Sequence, residues 1–333
     1  MHSLENEKPL PINTPSQLAK QQDLNFSTLA AALLHSPKQS LQPRQLRTKR
    51  REFANLLQIS ISDNPILYYK RIHGQIVVWG FRDDVFLANN LLQSYSKNGC
   101  LRDARMLFDK MSERNLITWS STVSMYSRHG CYEEALAMFS AFLRSCDGNP
   151  TEYILASVIR ACTQLGGVDQ GAQVHGFVVK TGFYQDVYVG TPLIDFYAKN
   201  GEMGEARMVF DGLAEKTAVT WTTVITGYVK SGRSEVSLQL FDQMRETDVV
   251  PDKYVLSSVL SACSTLEFLD GGKKIHAYVL RRGTEMDVSV SNVLLDFYAK
   301  CGKVHTARKL FDQVVVKNII SWTTMIAGYM KIH

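Results

Sequence analysis

Asn292-Val293-Leu294-Leu295-Asp296-Phe297-Tyr298-Ala299-Lys300-Cys301-Gly302 is the third appearance of one register in this chain. The register stands earlier as Asn89-Asn90-Leu91-Leu92-Gln93-Ser94-Tyr95-Ser96-Lys97-Asn98-Gly99. It returns as Thr191-Pro192-Leu193-Ile194-Asp195-Phe196-Tyr197-Ala198-Lys199-Asn200-Gly201. Working outward, Trp119, Trp221 and Trp322 recur at 102 and 101 residues, as do His73, His175 and His276, while Cys162 and Cys263 lie 101 apart. Self-similarity at a fixed period marks a repeat architecture, which has to be settled before single elements are read.

Each super-repeat divides into units of 31, then 35 or 36, then 35 residues, beginning at Val85, Leu116, Glu152, Val187, Ala218, Lys253, Val288 and Ile319. A degenerate unit fits before them over 50–84, with Phe53, Leu56, Leu57 and Ile59 in the apolar places. Within a unit the period is helical. Leu87, Leu91, Leu92 and Tyr95 form one apolar face, and Leu101, Ala104, Leu107, Phe108 and Met111 form a second. Between the two stripes stand Gly99, Gly130, Gly166, Gly201, Gly232 and Gly302, with Asn64 in the degenerate unit; these residue types tolerate the left-handed conformation that ends a helix. Glu267 holds that place in one unit, where the turn is expected to close differently. A lone helix pair cannot bury its apolar face, but stacked neighbours can. The expected fold is therefore all-α, a right-handed α-solenoid of helix–turn–helix units, with the recurring Trp, Tyr, Phe and Cys positions in its core.

The chain has 333 residues, 45% apolar, with 37 Lys plus Arg against 32 Asp plus Glu. No run approaches the ~18 apolar residues of a membrane helix. Residues 1–51 hold eight basic and three acidic residues, the entire +5 of the chain, so the body is neutral. Residues 1–49 are basic late, poor in acid and rich in Ser, Gln and Pro, which reads as an organellar transit peptide, a solvated basic tail being the alternative.

Signals for catalysis are absent from the sequence. The six cysteines form no Cys-x-x-Cys pair and are expected to be reduced, packed thiols. His73, His175 and His276 sit one super-repeat apart and cannot converge on one metal. No His-x-Glu, G-x-x-x-x-G-K-[ST] or G-x-S-x-G occurs. No catalytic residue, metal, cofactor, small-molecule substrate or membrane contact is expected.

Two segments carry a family resemblance: 292–302, quoted above, and Asn318-Ile319-Ile320-Ser321-Trp322-Thr323-Thr324-Met325-Ile326-Ala327-Gly328-Tyr329. The chain resembles plant pentatricopeptide repeat (PPR) proteins of the PLS subclass over about residues 50–333. The division is then a leader 1–49 and a degenerate L-type repeat 50–84, followed by seven repeats (85–115, 116–151, 152–186, 187–217, 218–252, 253–287, 288–318) and the first helix of a further one, 319–333. Short units begin at 85, 187 and 288, P-type units at 116, 218 and 319, and L-type units at 50, 152 and 253. The competing tetratricopeptide pattern has one fixed length and a W-x₂-L-G-x₂-Y start that this chain lacks.

The resemblance implies sequence-specific binding of single-stranded organellar RNA, about one base per repeat. The fifth residue of each unit and its last residue would together read one base edge. Those pairs are Asn89 with Asn115, Ser120 with Thr151, Thr191 with Thr217, Thr222 with Asp252 and Asn292 with Asn318; Thr323 is the fifth residue of the last unit. By the same analogy Thr with Asp prefers G, and Asn with Asn prefers a pyrimidine, usually C. The L-type pairs Ala54/Asp84, Ala156/Asp186 and Ser257/Asp287 are read poorly. The implied ligand is 5′-Y-N-N-R-G-N-Y-3′, parallel to the protein. Second residues Phe86, Ile117, Tyr188, Val219 and Ile320 would wedge between bases, Ser289 being a poor wedge. Thirteenth residues Lys97, Arg128, Lys199, Lys230, Lys300 and Lys331 would contact phosphates, with complementation of the helix dipole as the alternative.

The PLS arrangement implies a site-recognition factor for C-to-U RNA editing, in the mitochondrion or alternatively the chloroplast. The family's zinc deaminase domain does not occur in this sequence, so a fragment, a truncated product or an adaptor for a deaminase or editing cofactor in trans is expected. A helical scaffold that binds protein segments is the alternative from another class.

Overall fold

The structure is a computed structural model that describes residues 43–59, 65–146, 148–282 and 287–331. The described residues hold seventeen α-helices and no strand. They are α1 (Pro43–Gln58), α2 (Pro65–Val78), α3 (Val85–Lys97), α4 (Leu101–Lys110), α5 (Leu116–Arg128) and α6 (Tyr132–Ser145). Next come α7 (Glu152–Leu165), α8 (Val168–Lys180), α9 (Val187–Lys199), α10 (Met203–Gly212), α11 (Ala218–Lys230) and α12 (Ser234–Arg245). The last five are α13 (Lys253–Thr265), α14 (Leu269–Arg282), α15 (Val288–Lys300), α16 (Val304–Gln313) and α17 (Ile319–Met330). From Val85 onward the first helix of every pair begins at the residue where the sequence starts a unit. The described residues fall into two compact units, one within Met1–Thr122 and one within Val123–His333.

What starts each first helix is the last residue of the preceding repeat. Asp84, Thr151, Asp186, Thr217, Asp252, Asp287 and Asn318 are N-caps whose side chains accept from a backbone N–H of the first turn. Asn115 does the same for Thr118 N at 3.0 Å. Such caps contribute about 1 kcal/mol each, and they immobilise the side chain assigned to base reading.

What ends a first helix is the left-handed residue. Gly99, Gly130, Gly166, Gly201, Gly232 and Gly302 all have φ between 66° and 82°. The expectation that the turn at Glu267 closes differently is corrected by the structure. Glu267 itself adopts φ 52°. Phe268 N donates to Cys263 O at 2.9 Å, as Cys100 N donates to Tyr95 O at 2.9 Å in the Gly99 turn. With Glu in the left-handed place the turn between α13 and α14 keeps the form it has with glycine.

Within Val123–His333 the first helices α7, α9, α11, α13, α15 and α17 pack each on the next, the second helices α8, α10, α12, α14 and α16 pack each on its own partner, and α6 packs on α7. Within Met1–Thr122, α1 packs on α2 and α3, and α3 on α4. Both units have the α-solenoid architecture. Leu87, Leu91, Leu92 and Tyr95 are 0–2% exposed, so the sequence-derived apolar face is the core face. Rings seal the pairs edge to face: Phe108–Trp119 at 4.9 Å, Phe210–Trp221 and Phe311–Trp322 at 4.8 Å.

Three particulars depart from the sequence reading. Trp322 keeps its contact with Phe311 yet is 53% exposed, because no described helix follows α17 to cover it. Ile59 is exposed, whereas Phe53, Leu56 and Leu57 are buried. Helix α1 begins at Pro43, inside the stretch read as leader. Residues 1–42 and Asn64 lie outside the described residues.

Candidate nucleic-acid interface

The fifth-and-last residue pairs are built by the caps. Asn318 Oδ1 accepts from Ser321 N at 3.0 Å and from Asn292 Nδ2 at 3.2 Å. Asn115 Oδ1 accepts from Thr118 N at 3.0 Å and from Asn89 Nδ2 at 3.2 Å. Thr222 Oγ1 lies 3.4 Å from Asp252 Oδ2, and Asp252 Oδ1 holds the N–H groups of Tyr254 and Val255 at 2.9 and 2.8 Å. The structure thus brings together fifth and last residues that lie 26 or 30 positions apart. Thr191 and Thr217 meet through a third residue, Thr220, whose hydroxyl is 3.2 Å from one and 3.0 Å from the other. Ser120 is half-buried on α5, and Thr151 caps α7 through Ile154 N at 3.4 Å. Thr323 is exposed and donates to Ile319 O at 2.9 Å.

The last residues of two of the units expected to be L-type, 50–84 and 253–287, are engaged elsewhere. Asp84 is bound by Arg50, and Asp287 accepts from Lys253 Nζ at 2.9 Å; each cation is the first residue of the same unit. The Ser289 hydroxyl and then the Lys253 ammonium draw the Asp287 carboxyl down to about 2. Burial pushes Asp84 up, but the hydrogen bonds from Arg50 and the Leu87 N–H outweigh it and leave it below the ordinary carboxylate value. The fifth-position partner of Asp84, Ala54, is buried with no polar side-chain atom to offer, whereas that of Asp287, Ser257, is half-buried and keeps a hydroxyl.

The expected wedge residues are all apolar side chains left in solvent: Phe86, Ile117, Tyr188, Val219 and Ile320 are 49–72% exposed. Sequence reasoning missed Tyr153 and Tyr254, which are 61% and 63% exposed. Both are second residues of the units beginning at Glu152 and Lys253, and applying the second-position rule to those units would have found them.

A cleft of about 700 Å³ in Val123–His333 gathers a fifth-position residue, Thr222, a second-position ring, Tyr254, and two thirteenth-position lysines, Lys199 and Lys230, with Asp195 and Thr226. A second cleft of about 440 Å³ repeats it one super-repeat later, with Thr323, Asp296, Lys300 and Lys331. The basic thirteenth residues are all exposed but are not equivalent. Lys199 and Lys300 are paired at 2.8 Å with Asp195 and Asp296, four residues earlier. Lys331 Nζ is 3.7 Å from Glu267, and Arg128 Nε donates to Ser124 O at 3.2 Å. Lys97 and Lys230 have no ion pair among the described residues. Five of the six close the last turn of a first helix, so the helix dipole also favours their charge there.

The three histidines are taken up by the scaffold. His73, His175 and His276 lie with Nδ1 at 3.1, 2.7 and 2.9 Å from Tyr95, Tyr197 and Tyr298 OH. No group of three or more His, Cys, Asp or Glu placed to hold a metal occurs among the described residues. The six cysteines are free thiols, and burial pushes Cys162 and Cys263 up to about 11 and about 12. No described helix is long and apolar enough to cross a membrane.

The PPR repeat profile matches residues 86–116, 117–146, 191–216 and 289–319, and the PPR repeat family profile matches 216–265. A pentatricopeptide repeat-containing protein of Arabidopsis thaliana is 56% identical over 284 residues, covering 85% of this chain and 34% of the relative. Another from the same plant, named mitochondrial, is 34% identical over 326 residues, covering 98% of this chain and 51% of the relative. The chain thus spans about a third to a half of these relatives' length. Among solved structures, the pentatricopeptide repeat protein PPR10 in complex with an 18-nt psaJ RNA element superposes with TM-score 0.70 at 17% identity, covering 85% of this chain and 43% of that one.

Proposed function

The chain belongs to the PPR repeat family, and on that premise we propose that it is a sequence-specific binder of single-stranded RNA that reads one base with each fifth-and-last residue pair. The pair Thr222/Asp252 carries this reading. The Thr222 proton goes to Ala218 O at 2.7 Å, and Asp252 Oδ1 is occupied by two backbone N–H groups. The pair therefore turns only lone pairs outward. Guanine alone has two adjacent donors, N1–H and N2–H, on its Watson–Crick edge, so a guanine satisfies this face and the other bases leave an acceptor unpaired. Tyr254 supplies an exposed ring for stacking beside it, and Lys230 an unpaired cation for the phosphate.

The unit lengths of 31, 35–36 and 35 residues support the finer assignment to the PLS subclass, and with it recognition of a C-to-U editing site in organellar transcripts. The deaminase chemistry then comes from a domain or cofactor outside these residues. Relatives named mitochondrial at 33–38% identity favour that organelle over the plastid. Binding titrations on RNA oligonucleotides differing only at the base opposite Thr222/Asp252 test the readout. Tighter binding of G is expected, and equal affinity for all four bases refutes it.

A further inference from the structure

Thr118, Thr220 and Ser321 are the third residues of the three P-type first helices, and each is a buried polar side chain at 0% exposure. Their hydroxyls meet the neighbouring reading pair from behind. Thr118 Oγ1 donates to Asn89 Oδ1 at 2.8 Å and accepts from Asn115 N at 3.3 Å. Ser321 Oγ donates to Asn292 Oδ1 at 2.7 Å and accepts from Asn318 N at 3.2 Å.

The direction of every amide bond in this ring is forced, while each hydroxyl has a second oxygen in reach, Thr118 Oγ1 lying 3.0 Å from Asn115 Oδ1 and Ser321 Oγ 3.1 Å from Asn318 Oδ1. Each of those cap oxygens already takes two N–H donors, so the hydroxyl proton goes to the nearer fifth-position oxygen, at 2.8 and 2.7 Å. A backbone N–H can only donate, so the atom of Asn318 facing Ser321 N is Oδ1. That oxygen also takes the Asn292 amide, so Nδ2 is the group Asn292 directs at it, and Asn292 Oδ1 is left for the Ser321 hydroxyl. The same chain runs from Thr118 N through Asn115 and Asn89 back to the Thr118 hydroxyl. Both amide oxygens are consumed inside the protein. The Nδ2 groups of Asn115 and Asn318, on exposed residues, make no hydrogen bond among the described residues.

We propose that Thr118 and Ser321 are positioning residues that lock the Asn89/Asn115 and Asn292/Asn318 pairs into a donor-only face, and that this face selects cytosine. Cytosine alone has two adjacent acceptors, N3 and O2, on its Watson–Crick edge. Uracil places N3–H between its acceptors, adenine has the single acceptor N1 beside its N6 donor, and guanine has the single acceptor O6 beside two donors. Without the hydroxyl the fifth-position amide keeps only the cap oxygen as an anchor, and its own oxygen loses the donor that holds it inward and fixes the amide against tilting toward the ligand. Thr220 cannot impose such a lock, because both groups it meets, Thr191 and Thr217, are hydroxyls that rotate to donate or accept. The Thr191/Thr217 pair is accordingly indifferent to base polarity.

The proposal rests on the RNA-reading function above, and its test separates the two. The full chain is titrated with four RNA oligonucleotides that differ only at the base opposite Asn89/Asn115, and with four more varied opposite Asn292/Asn318. The unaltered chain should prefer C by roughly tenfold at both positions, the effect of one or two mismatched polar contacts. Thr118→Val, which keeps shape and loses the hydroxyl, should reduce that ratio to below about threefold at the first position only. Thr118→Ser should restore it, and Ser321→Ala should act at the second position alone. A hydroxyl of merely structural use would lower the melting temperature and weaken all four oligonucleotides alike. An unchanged C ratio in both Thr118→Val and Ser321→Ala overturns the positioning role and leaves RNA reading intact. Absence of any base preference in the unaltered chain overturns both.

Discussion

Replacing Lys230 and Lys199 in turn separates a phosphate ligand from a helix-end charge. Lys230 has no ion pair among the described residues, whereas Lys199 is held by Asp195 at 2.8 Å with both side chains about half exposed. Each phosphate of a single strand neutralised by a cation adds about 0.7 to the slope of log affinity against log salt. Lys230→Ala should therefore flatten that slope by about 0.7, which changes relative affinity about 2.6-fold over a fourfold rise in salt. Lys199 already has a counter-charge that it must share with the phosphate, so Lys199→Ala should remove roughly 0.3 or less. Asp195→Asn releases the lysine and deletes an opposing charge, and should steepen the slope toward the full 0.7. Fluorescence anisotropy with a labelled single-stranded RNA, in salt from about 50 to about 200 mM, covers the useful range. An identical slope for Lys230→Ala and the unaltered chain would show that the thirteenth-position cations serve the helix dipole alone. Equal losses for Lys230→Ala and Lys199→Ala would refute the role given to Asp195.

Glu267→Gly should raise stability by about 1 kcal/mol, the cost of a left-handed β-carbon, seen as a higher urea midpoint; a lower midpoint would mean that the 3.7 Å pair with Lys331 outweighs that strain. Gly171→Ala, ordinarily favourable inside a helix by about 1 kcal/mol, should instead destabilise by at least about 2 kcal/mol, because a β-carbon there would meet Phe196 Cζ at 2.0 Å. Gly272 faces Phe297 in the same way, and calorimetry on both alanine variants should show the same reversal. Burial holds His73 and His175 below their ordinary value of 6.5, so the unfolded chain takes up more protons as pH falls through that value. Stability should be full above it and decline below it, and His175→Gln should lessen the difference between urea midpoints taken at neutral and mildly acidic pH.

Most of the fold was legible because its signals are local. The apolar spacing of Leu87, Leu91 and Tyr95 and the glycine at each turn act over one or two turns of helix, and helix starts matched the unit starts from Val85 onward. Glu267 was misjudged because residue type suggests but does not dictate φ when the flanking helices are already packed. Trp322 departs from its register because, among the described residues, it packs against Phe311 on one side only. Tyr153 and Tyr254 were legible in principle, standing at a position whose meaning had been assigned for other units. The third-position hydroxyls were visible as Thr118, Thr220 and Ser321, yet a small polar residue near a helix start looks like an ordinary first-turn residue until its partner is known.

By itself the sequence determined the repeat, its three lengths, the order of helices and the residues that return together at the second, fifth, thirteenth and last positions. Periodicity and turn chemistry depend only on near neighbours, so one dimension suffices for them. Only the tertiary structure decided what those residues can offer a ligand. Thr118 reaches Asn89 across 29 positions, and Lys253 ties up Asp287 across 34. Which lysines stand unpaired, which carboxylates are spent, and which end of an amide points outward all follow from partners delivered by helix stacking. A hydrogen bond has a direction, and that direction is set by the donor that packing places behind it.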